Sequence, residues 1–147
     1  MKKSLTKTPD LFSEFAWELL LESEQEAHKW RHEYLDVEHL LLVLFTDQNY
    51  KSFTNSLPIQ KSILLDGLEN FLANSRTSNA DNLYIGEDLE ELLDTAANFR
   101  SRWGSKLIDI SHILIAAGRD KRIGEQLFKD AGMPSEVLEG ELRRISK

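Results

Sequence analysis

An eleven-residue stretch occurs twice in this chain of 147 residues, and the repetition limits what the chain can become. LDVEHLLLVLF at 35–45 returns as IDISHILIAAG at 108–118, so His39 recurs as His112, 73 positions on. The same shift pairs Asp36 with Asp109, Leu41 with Leu114, Trp30 with Trp103 and Leu20 with Leu93. It also pairs Leu65 with Leu138 and Leu72 with Ile145. Apolar matches alone would be cheap, but agreement of a Trp, an Asp and a His at one shift points to tandem duplication of a unit about half the chain long.

A chain of this length suits one domain whose core is large enough to need no staples. It contains no cysteine, which excludes disulfides and thiolate metal sites. The N-terminal MKKSLTKTP is positively charged, but no apolar segment follows it, so it does not read as a secretory signal. The longest apolar run, Leu40 to Phe45, is far short of the roughly 20 residues that span a bilayer. The expected compartment is the cytosol, with no membrane contact. Eighteen basic residues against 25 acidic ones give a net charge of −7, which argues against nucleic-acid binding through clustered Lys and Arg.

Residues 1–9 read as a frayed lead-in. From about Phe12 to Trp30, Phe12, Phe15, Ala16, Leu19, Leu20, Ala27 and Trp30 recur at three- and four-residue steps. That spacing predicts a long amphipathic helix capped by Asp10 or Ser13, with Trp17 and Leu21 widening its apolar face. A connection at 31–34 leads to a second helix, capped by Asp36 and apolar on nearly every side from Leu40 to Phe45, as befits a helix buried all round. A short helix near 50–57 follows, then Pro58. A fourth helix runs from about Ile59 to Leu72, with Ile63, Leu64, Leu65, Leu68 and Leu72 inward.

Polar residues 74–82 form the expected linker, where insertion should be tolerated. The pattern restarts near Gly86. Leu89, Leu92, Leu93, Ala96, Ala97 and Trp103 rebuild the long helix, which Gly104 ends, and Asp109 caps a second buried helix ending at Gly118. A helix over 121–131 stops at Gly132. The last helix starts with Pro134 in its first turn and turns Val137, Leu138, Leu142 and Ile145 inward. The expected fold is all-α. It is a single domain over 1–147, about eight helices in two pseudo-symmetric sets of four, with repeat one at about 10–73, the linker at 74–83 and repeat two at 84–146. No strand is expected.

Two copies of a long helix, a short loop and a capped E-H-L-L-L or S-H-I-L-I helix resemble the double repeat of the Clp amino-terminal domain. The likeness runs from about Phe12 to Ile145. YIGEDLEELLD at 84–94, LIDISHIL at 107–114 and RIGEQLF at 122–128 are more similar to the ClpB (disaggregase) branch than to the ClpA or ClpC branches. The resemblance implies a non-catalytic domain without cofactor or metal. Such a domain binds unfolded or aggregated polypeptide in a shallow groove with apolar walls and delivers it to an ATPase ring. In other branches it docks adaptor proteins.

In the ClpB pattern a hydroxyl residue opens the first helix, and Ser13 stands there. Acidic residues precede and enter the sixth helix, and Ser105 and Ser111 stand at those positions, which moves the expectation from charge-assisted capture towards apolar contact. The expected groove residues are Phe12, Ser13, Trp17, Leu93, Ser105 and Ser111. No Gly-x-x-x-x-Gly-Lys-Ser/Thr phosphate loop occurs. The chain is therefore expected to be either a piece of a longer chaperone or a free-standing adaptor that docks on a Clp ring, and a monomer in isolation.

Other chemistry reads more weakly. His39 and His112 sit in the first turns of apolar helices, where an imidazole can bond a nearby carbonyl or fasten the preceding loop; buried polar groups normally have internal partners. His28 and His32 have a helical spacing that can hold zinc, but HKWRH completes no His-Glu-x-x-His motif. The acidic clusters at 22–26, 87–91 and 136–141 read as solvated helix faces rather than paired general acids and bases. Trp30 and Trp103 read as core plugs. No Gly-x-Ser-x-Gly occurs, and an enzyme is not expected.

Overall fold

Asp36 and Asp109 each do what their position before an apolar run suggests. Each has extended backbone, and each side chain accepts the N–H of the next residue. In a computed structural model describing residues 9–75, 77 and 83–146, they start α2 (Val37–Thr46) and α6 (Ile110–Gly118). Every residue of α2 from Val37 to Phe45 is buried, as is all of α6. Burial of one such Leu or Ile side chain contributes about 1.5–3 kcal/mol, so these two helices form the centre of the core.

Around them lie α1 (Glu14–Trp30), α3 (Lys51–Asn55), α4 (Lys61–Ala73), α5 (Glu87–Arg102), α7 (Gly124–Asp130) and α8 (Ser135–Ser146). Helix α1 packs on α2 as α5 packs on α6, and α4 packs on α2 as α8 packs on α6. The crossed pairs α1 with α6 and α2 with α5 join the copies. The eight-helix, all-α expectation holds among the described residues. The lead-in at 1–8 and most of the linker at 74–82 lie outside the described residues. No helix among those described is long and apolar enough to cross a membrane.

Four local expectations need correction. Two-residue strands β1 (Tyr34–Leu35) and β2 (Tyr84–Ile85) pair in parallel, so the connection at 31–34 is partly extended. An isolated parallel bridge, Phe12 to Ile108, is its mate: the 73-residue shift carries Phe12 onto Ile85 and Leu35 onto Ile108. Helix α1 begins after Ser13, its cap, so Phe12 precedes the helix. Phe15 (59% exposed), Ile63 (44%) and Val137 (48%) face outward. Phe15 stands at the edge of the stripe formed by Ala16, Leu19 and Leu20, on the side that carries Glu18 and Glu22. Pro134 stands one residue before α8, its carbonyl accepting the N–H of Leu138.

Helix ends also follow from local chemistry. Gly104 adopts φ 72° just past α5, as a left-handed stop requires. At the matching place past α1 stands Arg31, with φ 60°.

Candidate functional site

The first turns of α1 and α6 meet because backbone joins them. Ser13 N–H donates to Ile108 carbonyl at 2.9 Å, and Ile108 N–H to Leu11 carbonyl at 2.6 Å. Ser13 Oγ then serves twice, accepting the Ala16 N–H that it caps and donating to Asp109 Oδ1 at 2.8 Å. Phe12, just before this cap, packs on Trp17 with ring centroids 6.0 Å apart. Those two positions form a hydrophobic staple, which fixes the angle at which the chain enters α1.

Beside this junction lies an open groove of about 480 Å³. Helix α1 contributes Phe15. Asn49 and Tyr50 come from the 3₁₀ turn before α3, and Ser52 and Phe53 from α3. Asp109, Ile110 and Ser111 come from the start of α6, and Ile145 from the end of α8. Its apolar content is Phe15, Phe53, Ile110, Ile145 and the ring of Tyr50. Tyr50 Oη donates to Glu22 Oε1 at 3.1 Å, and burial together with that carboxylate raises the phenol above its ordinary range. Burial, then the neighbouring Asp47, raises the Glu22 carboxyl, and the interaction with Glu22 lowers Asp47. The groove offers apolar contact with acid at its margins and no nucleophile activated by a base.

Of the six residues expected at a groove, Ser111 lines this one and Ser13 bonds its Asp109 wall. Trp17 is half-buried in the staple, and Phe12 and Leu93 are buried in the core. Ser105 lies in the loop before α6, where its carbonyl accepts from Arg100 Nη1 at 3.3 Å. Sequence reasoning missed Phe15, Tyr50, Phe53 and Ile110. Only Phe15 carried a signal, as an apolar residue flanked on its helix face by Glu18 and Glu22.

Both repeated histidines act as the third helical residue of a capping box. His39 Nδ1 accepts the Asp36 N–H at 3.0 Å and His112 Nδ1 the Asp109 N–H at 2.9 Å. They therefore take a backbone N–H rather than bond a carbonyl. With Nδ1 accepting, Nε2 of His39 carries its proton and donates to His32 Nδ1 at 2.7 Å. Burial, then the neighbouring His32, holds His39 down at about 3. His28 and His32 do not share a helical line: α1 stops at Trp30, and His28 is exposed where His32 is buried.

A family model for the Clp repeat (R) N-terminal domain matches residues 11–131. Chaperone protein ClpB 2 of Parasynechococcus marenigrum (strain WH8102) is 48% identical over 143 residues, covering 97% of this chain and 16% of the relative. Chaperone protein ClpB 2 of Synechocystis sp. is 29% identical over 140 residues, again 16% of the relative. The chain thus spans about a sixth of these relatives' length. Among solved structures, the Hsp104 N-terminal domain from Candida albicans aligns with TM-score 0.79 at 18% identity, over 92% of this chain and 91% of that one. The N-terminal domain of the ClpV1 ATPase from E. coli aligns with TM-score 0.74 at 16% identity, over 99% and 89%. At those identities the structures speak for the fold alone.

Proposed function

The chain belongs to the Clp repeat (R) N-terminal domain family, with sequence relatives among the ClpB chaperones, and from that premise we propose that it is a non-catalytic polypeptide-binding domain. It takes unfolded or aggregated chain into the groove between α1, α3 and α6 and passes it to a Clp ATPase ring in the cytoplasm.

The observation that carries this reading is Phe15. A phenylalanine left 59% exposed over a groove that also offers Phe53, Tyr50 and Ile110 is apolar surface without an internal partner, the usual mark of a binding face. Asp109 and Ser111 at the start of α6 supply polar rim groups that can meet the backbone of an extended segment.

The test is an NMR titration with a permanently denatured protein. Shifts should cluster on Phe15, Phe53, Ile110 and Ser111. Phe15→Asp should weaken binding about tenfold, the loss of roughly 1.4 kcal/mol of apolar contact, and moderate salt should change little. Shifts confined to another face, or binding abolished by salt, would overturn the groove.

A further inference from the structure

The two junctions that join the copies expose different chemistry. At the start of α2, Arg122 Nη2 bonds Glu38 Oε1 and lies 3.4 Å from Asp36 Oδ2, while its Nε bonds Asp88 Oδ2. Those charges satisfy one another. The strands beside them present a pair of phenols. In the parallel register of β1 and β2, Tyr34 stands opposite Tyr84 and Leu35 opposite Ile85. Alternation along a strand sends Leu35 into the core and both tyrosines outward, 50% and 52% exposed. Their ring centroids are 6.2 Å apart, within the range of direct aromatic contact. The 73-residue shift carries Tyr34 onto Leu107 and Tyr84 onto Leu11, so the other junction has no counterpart.

We propose that Tyr34 and Tyr84 are an oxidative modification site, at which a peroxidase with hydrogen peroxide joins the two rings carbon to carbon and clamps the copies together. Each phenol gives one electron and its hydroxyl proton to the oxidant. The two phenoxyl radicals couple through ring carbons beside the oxygens. The hydrogen on each of those carbons then moves to that ring's oxygen as aromaticity returns. The chain loses two hydrogens in all, and one hydrogen peroxide becomes two waters.

The backbone holds the rings as neighbours before any oxidant arrives. Tyr84 N–H donates to Glu33 carbonyl at 3.0 Å, and Gly86 N–H to Leu35 carbonyl at 2.8 Å. Rings held in this way couple within one chain faster than two chains can meet. Among the described residues, competing sulfur and phenol groups are withheld. The chain has no cysteine, Met133 is fully buried, and Tyr50 is 2% exposed with its hydroxyl donating to Glu22. Positions 34 and 84 belong to different copies, so the link closes a loop across 50 positions. A cross-link of that span stabilises a fold by restricting the unfolded chain.

The test treats dilute wild-type chain with a haem peroxidase and stoichiometric hydrogen peroxide. The expected product stays monomeric on denaturing electrophoresis and fluoresces as dityrosine. Digestion should yield a cross-linked peptide that joins 34 to 84 and is two hydrogens lighter than its parts. Its Tm should rise, by an amount independent of protein concentration. Tyr34→Phe and Tyr84→Phe should each abolish the link, while Tyr50→Phe keeps it. Covalent dimers as the main product, oxygen added to tryptophan in place of the link, or a cross-link that survives in Tyr34→Phe would overturn the site. A link that leaves Tm unchanged would overturn the clamp.

Discussion

Ser13 and Gly86 hold the same place in the two copies, and their backbones make the same bond: Ser13 N–H to Ile108 carbonyl at 2.9 Å, Gly86 N–H to Leu35 carbonyl at 2.8 Å. Their surroundings differ. Ser13 reaches across to an exposed Asp109, whereas Asp36 stands where a side chain at 86 would go, 1.9 Å from the site of a Cβ. Asp36 is buried, and burial with Glu38 beside it pushes it up to about 6. Duplication has kept the backbone junctions and left the side chains beside them to diverge, one into an open groove and one into an ion cluster. Exchanging the two residues should expose that asymmetry. Gly86→Ser should cost about 3 kcal/mol in chemical denaturation, since the new side chain must displace the cap of α2 and its bridge to Arg122. Ser13→Gly should cost only about 0.5 kcal/mol. Equal costs would mean the two junctions are interchangeable after all.

The two capping boxes divide the same way. His39 donates its Nε2–H to His32 Nδ1, but the residue matching His32 is Ser105, and His112 Nε2 is buried with no partner among the described residues. Glutamine can keep the box by accepting the cap N–H, so the substitution isolates the rest. At pH 7 His39→Gln should cost about 1.5 kcal/mol, for the broken pair with His32, and His112→Gln about 0.5 kcal/mol. Acid sharpens the contrast. With its folded pKa near 3, His39 binds fewer protons folded than unfolded. Its contribution is complete above about 6.5 and is lost as pH falls from there towards 3. Asp36, raised from 3.8 to about 6, works oppositely and gains stability as pH falls through 6 towards 3.8. The histidine window is the wider, and burial also lowers His32 and His112, so stability should fall on acidification. His39→Gln should flatten a Tm-against-pH profile more than His112→Gln; the reverse order would break the comparison.

What could be read from the sequence was local. Asp36 and Asp109 stood before unbroken apolar runs, and the caps and buried helices are where that pattern put them. Trp30 and Trp103 pack against the core, as the repeat suggested. What was not legible depended on partners far along the chain. Phe12 is held at the junction because Ile108, 96 positions on, bridges it, and that contact leaves no trace in local periodicity. Tyr50 and Phe53 reach the groove only because α3 folds back beside α6, and Arg122 meets Glu38 across 84 positions. Phe15 was legible and was missed: its neighbours one and two turns on, Glu18 and Glu22, are acidic.

The smallest contrast lies at the ends of the long helices, and it isolates backbone conformation. Arg31 and Gly104 occupy matching positions with φ 60° and 72°. In this region a side chain crowds its own backbone at about 1 kcal/mol or more, a cost that glycine escapes. Arg31 is exposed, so replacing it removes little packing, and nothing lies within 4 Å of a Cβ placed on Gly104. Arg31→Gly should therefore stabilise the domain by about 0.5–1 kcal/mol, the relief of the left-handed strain less the greater freedom of glycine in the unfolded chain. Gly104→Arg should destabilise it by a similar amount with the opposite sign. If Arg31→Gly proved destabilising, Arg31 would be held by a contact worth more than its strain, and the two helix ends would differ in packing as well as in residue.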